Sequence, residues 1–163
     1  MSADISTEDR RSIVVSEVMS PEKANFAGNI HGGHLLLLLD RVAYACAAQY
    51  AGSYVVTVSV DQVMFKEPIH VGELVTCYAS VNYVGRSSME IGIKVVAENL
   101  MKRLRRHTNS CFFTMVAVDE QLKPVTLSVF EPETEQEKCR WTEAEARRAA
   151  RLALRQQHME HKQ

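Results

Sequence analysis

Asp40 is the residue of this sequence best placed to do chemistry. It lies inside the run HLLLLLDRVAYACAAQYAG, with Leu36 and Leu37 a turn before it and Ala43 and Tyr44 a turn after. An ionised carboxylate buried among such side chains without partners is costly. Desolvation makes it a stronger base, which suits a general base or a nucleophile. The alternative is a structural ion pair. Arg41 is a poor partner for it, because adjacent residues on a helix do not face each other, so the cation would come from elsewhere.

Upstream, PEKANFAGNIHGG carries the other candidates. Gly32 and Gly33 stand where the apolar run begins. Backbone N–H groups at a helix start are unpaired and carry the positive end of the dipole, and glycines let a substrate carbonyl approach. That is the chemistry of an oxyanion hole; a simple glycine turn is the other reading. The Asn25 amide either holds a water or carbonyl or stabilises its own turn. His31 and His34 are three apart with no further ligands at metal-binding spacing, so they are expected in turn packing or against a ligand.

The elements that must position these residues follow from pattern. Residues 1–11 are polar and expected to be flexible. Ile13 to Val18 is a β-branched strand. A helix is expected from near Gly32 to near Gly52, apolar nearly all round and therefore buried on most sides, with Gly52 as its C-terminal cap. Four β-rich segments follow, YVVTVSVDQVMF, ELVTCYASVNYV, SSMEIGIKVVAEN and HTNSCFFTMVAVD, separated by KEPIHVG, VGRS and LMKRLRR. Met89, Ile91, Ile93 and Val95 alternate with Glu90, Gly92 and Lys94, the period of a strand. Thr134 to about Gln157 is a polar terminal helix, mostly solvated, with its apolar content between Ala146 and Leu154. One buried helix against an antiparallel sheet is what this order permits, and the far side of the helix calls for a second copy of the chain. Gly32 and Asp40 are eight residues apart, about 12 Å along a helix at 1.5 Å per residue. One carbonyl is not easily served by both within one chain. Two helices packed antiparallel would bring Asp40 of one chain to Gly32 and Asn25 of the other.

The 163 residues suit one domain, and the formal net charge of -1 argues against a uniformly basic nucleic-acid binder. The basic run from Met101 to His107 suits a small anionic ligand. Cys46, Cys77, Cys111 and Cys139 form no CxxC pair and read as reduced thiols in a cytoplasmic protein. No leader is visible in MSADISTEDRRS, and the longest apolar run, Leu35 to Leu39, is far too short to insert in a membrane.

The segment from Pro21 to Gly52, with VSVDQVMFKEPIHVGELV, VGRSSMEIGIKV and RHTNSCFFTMVAVD in the same order downstream, resembles the hotdog-fold acyl-CoA thioesterases of the cytosolic acyl-CoA hydrolase type. The resemblance runs from about Ile13 to Asp119. It implies an α+β hotdog fold: an antiparallel sheet of about six strands wrapped around a central helix, with a C-terminal helix added. The domain would span 12–130, after the flexible 1–11 and before a polar helix and tail at 131–163. It implies hydrolysis of fatty acyl-CoA to free fatty acid and CoA, with no metal and no cofactor, coenzyme A being part of the substrate. Asn25 and Asp40 are the implied functional pair, supplied by opposing units. A homodimer would be the minimal active unit and a trimer of dimers the assembly. Gly32 and Gly33 would polarise the carbonyl, while Arg86, Ser87, Ser88, Arg103, Arg105 and Arg106 are candidates for binding CoA. MKRLRR departs from the glycine-containing hairpin turn frequent in relatives. Two rivals remain: a hotdog dehydratase on a 3-hydroxyacyl thioester, with His31 as base and Asp40 as acid, and a non-catalytic acyl-CoA binder.

Overall fold

The computed structural model describes residues 9–61 and 63–160. The leader expected to be flexible lies mostly outside them, and its last three residues, Asp9–Arg11, form a short 3-10 helix. The elements are β1 (Ser12–Val18), α1 (Gly32–Ala51), β2 (Tyr54–Asp61), β3 (Leu74–Val84), β4 (Ser88–Asn99), β5 (Leu104–Val118) and α2 (Glu135–Glu160). The strands form one antiparallel sheet in the order β1-β3-β4-β5-β2. This gives five strands, one fewer than the six expected. The connection from Pro21 to Ile30 is tied down by single bridges, Ala24 to Ile30 and Asn29 to His70, rather than by a further strand.

Long β3, β4 and β5 alternate apolar and polar, and their apolar faces wrap α1. Ile91, Ile93 and Val95 of β4, and Phe113 and Met115 of β5, are buried against Leu39, Val42 and Ala43 of the helix. Helix α1 ends as the sequence indicated: Gly52 adopts a left-handed φ of 65° and donates its N–H to the Ala48 carbonyl, a conformation glycine takes without penalty. LMKRLRR is not all turn. Residues 100–103 make the bend and Leu104 already begins β5, pairing with Asn99.

The other face of the sheet corrects the picture of α2. Glu90, on the polar side of β4, is 2% exposed because Arg147 of α2 lies over it and binds both carboxylate oxygens. Arg151 pairs with one oxygen of Asp61 and lies 3.6 Å from Glu90. The helix is therefore not simply solvated. It docks through arginines and through buried Ala144, whereas Leu152 and Leu154, in the stretch expected to supply its apolar contact, are exposed. No helix of the described residues is long and apolar enough to cross a membrane.

Candidate active site

The loop before α1 is held by its own backbone. Asn25 N–H donates to the Asn29 carbonyl, Ile30 N–H to Ile69, and His31 N–H to Lys23. Asn25 Oδ1 accepts from Ala27 N–H at 2.9 Å and Asn29 N–H at 3.1 Å. Because both partners are donors, they fix which end of the amide is oxygen. The carbonyl half of Asn25 therefore holds its turn, as one of the two sequence readings expected, and its NH2 half donates to none of the described residues.

The two glycines divide. His31 caps the helix, and its Nδ1 accepts from Gly33 N–H at 3.0 Å. Gly33 N–H, one of the two donors expected to polarise a carbonyl, is therefore already partnered. Among the described residues Gly32 N–H has no acceptor. Gly32 and Asn25 line one cavity of about 330 Å3, closed by Leu35, Phe65 and Pro68. The wall from Phe65 to Ile69 is stapled to β5. Arg106 bonds both Glu73 oxygens and the Pro68 carbonyl, each at 2.7 Å, and pairs with Glu67 at 3.2 Å. The guanidinium beside Glu73 holds that carboxyl below its usual range. Arg106, one of the residues expected to bind CoA, is thus held by internal partners.

Asp40 does not line this cavity. It is half-buried rather than buried, and lies on the face of α1 that the sheet leaves open. Leu36, Leu37 and Tyr44, three or four residues away on that face, are 38%, 48% and 41% exposed. Its partner is no cation. Thr57 of β2 donates its hydroxyl to Asp40 Oδ1 at 2.7 Å. The register of β2 on β5 slips just after Thr57, leaving Val58 as an extra residue, and such bulges re-aim neighbouring side chains. The sequence carried no signal for Thr57, which looks like any strand-forming threonine. Of the remaining candidates, Ser87 and Ser88 carry the β3–β4 turn with Arg86 exposed on it, at the opposite end of the sheet from the β4–β5 turn. Arg103 is exposed on that second turn, and Arg105 pairs with Glu98 and Tyr78. No group of metal-binding side chains occurs among the described residues.

The model of the thioesterase superfamily matches residues 27–103. An apo-hexameric acyl-CoA thioesterase superposes with a TM-score of 0.85 at 37% identity, over 89% of this chain and 93% of that one. This chain is a hotdog-fold member of the thioesterase superfamily, on its acyl-CoA hydrolase branch. VdlD of Helicobacter pylori is 50% identical to the thioesterase over 147 residues, 90% of this chain and 84% of that protein. The acyl-CoA hydrolase of Staphylococcus aureus, solved with butyryl-CoA, CoA and CoA disulfide, superposes with a TM-score of 0.80 at 29% identity over 93% and 95% of the two chains. That hydrolase has also been solved as single alanine variants of an Asp, an Asn and a Thr.

Proposed function

We propose that this thioesterase hydrolyses fatty acyl-CoA to free fatty acid and CoA in sites each built from two chains. The observation that carries this reading is a division within one chain. Free donors from Gly32 and Asn25 share a cavity, while Asp40 sits further along the same helix on an uncovered apolar face. Two such faces packed antiparallel bury Leu36, Leu37 and Tyr44 and carry Asp40 toward the other chain's cavity.

In the reaction Gly32 N–H and the Asn25 amide polarise the thioester carbonyl. Asp40 takes a proton from water as the water attacks, and the tetrahedral intermediate collapses with loss of CoA thiolate. Thr57 holds one carboxylate oxygen, which leaves the other to face the water. Arg103 of the chain that carries the cavity and Arg86 of the chain that carries Asp40, exposed on turns at opposite ends of the sheet, are the cations we assign to CoA phosphates. The hexameric relative supports a trimer of such dimers.

Two measurements test this. Thiol release from a chain-length series of acyl-CoA separates hydrolysis from dehydration and from passive binding, neither of which frees CoA. Inactive Asn25→Ala and Asp40→Asn chains, mixed under exchange, should recover activity through mixed dimers holding one intact site. No recovery despite proven exchange would sink the shared site.

A further inference from the structure

A cleft of about 420 Å3 opens on the outer face of the sheet, beside the N-terminal half of α2. The sheet itself separates it from α1 and the Asn25 cavity. Tyr78, Ser80, Lys94, Ser110 and Phe112 form its floor, and Arg140 of α2 its wall.

The charges here are arranged differently from those nearby. Arg147 and Arg151, further along α2, are each matched to a carboxylate. Arg140 donates only to Ser80 Oγ, at 3.2 Å, and no carboxylate lies within ion-pair distance among the described residues. Lys94 is exposed and has no partner among the described residues. The acidic group at the rim, Glu143, is turned to Arg147 at 3.8 Å. Below, Ser80 Oγ donates to Asn82 Oδ1 at 3.0 Å, and Asn82, 4% exposed, donates to Glu90 at 3.3 Å. A Cβ at Gly92 would lie 2.3 Å from Asn82 Nδ2, so the bare backbone there is what admits the amide. The buried row orients the Ser80 hydroxyl, which in turn holds Arg140 over the opening.

Two cations without counter-ions, neutral hydroxyls and an aromatic edge in a cleft of this size suit a compact oxyanion ligand. We propose that this cleft binds a small phosphate-bearing molecule, its phosphate held between Lys94 and Arg140. Such a ligand occupies the far side of the sheet from the thioester and does not compete with acyl-CoA.

Titration calorimetry of the full-length protein with inorganic phosphate, ribose 5-phosphate and adenosine 5′-monophosphate tests this. At least one should bind, and Lys94→Gln or Arg140→Gln should weaken it about tenfold, as expected for loss of a charge-assisted contact. Binding of inorganic phosphate as tight as that of the esters would identify the free ion as the ligand. In the unmodified protein, the bound ligand should protect Lys94 from acetylation, read by peptide mass spectrometry. The proposal is overturned by no binding at millimolar concentration, by binding that survives the double substitution, by competition with acyl-CoA, or by a Lys94 already protected without ligand.

Discussion

Thr57 gives Asp40 a neutral hydrogen-bond partner that fixes one carboxylate oxygen at 2.7 Å and leaves the other open to a water. Asp40→Asn should lower kcat for thioester hydrolysis by about 10³-fold, within the range for loss of a general base. Thr57→Ala should cost about tenfold in kcat with KM little changed, since it removes one orienting hydrogen bond. An equal rise in KM would mean that Thr57 binds substrate instead. Burial pushes the thiols of Cys46, Cys77 and Cys111 up to about 12, while Cys139 is exposed. A thiol reagent at pH 8 should therefore label Cys139 alone in the native protein, and all four cysteines after denaturation. At this scale the sequence was legible where one residue type had one use. Asp40 stood out because a charge inside an apolar run demands a reason. Thr57 did not, because its role arises from a register slip between β2 and β5. The two glycines read alike until His31 was seen to cap one of them.

Among the elements, the β4–β5 hairpin and the loop it holds are the most open to test. Arg103 closes that hairpin with φ at 55°, where a side chain is strained and glycine is not. Arg103→Gly should raise unfolding stability by about 1 kcal/mol in urea melts; no gain would show that the arginine side chain offsets the strain. At the foot of the hairpin, the Glu73 carboxyl is held below its ordinary value of 4.5 chiefly by its hydrogen bonds to Arg106. A depressed carboxyl stabilises the fold above its unfolded value and loses that contribution as pH falls through its folded value. Stability should therefore drop on acidification below about pH 4.5, and Glu73→Gln should flatten that part of the profile, seen in melting temperature against pH. Helices and strands were largely readable from period and caps: Gly32 to Gly52 bounded α1 to within a residue. The docking of α2 was not. It rests on Arg147 and Arg151 meeting Glu90 and Asp61, and charged residues on a helix look solvated until their partners are placed.

For the whole molecule, the open face of α1 is the feature on which the proposed two-chain site rests. Leu37→Glu places a charge in the middle of that face. It should yield monomers by sedimentation, with helical content kept and hydrolysis lost. Active monomers would refute the two-chain site. The open face of α1 was legible because the helix is apolar on more sides than one sheet can cover, but the assembly beyond two chains leaves no pattern in a sequence. The exposed Leu36, Leu37 and Tyr44 have one more consequence, for dose. If catalysis begins only when two of these faces meet, active sites form by a bimolecular encounter. Below the dissociation constant of the dimer, output would then rise with the square of expression level, so that halving the amount of protein would cut its work to about a quarter.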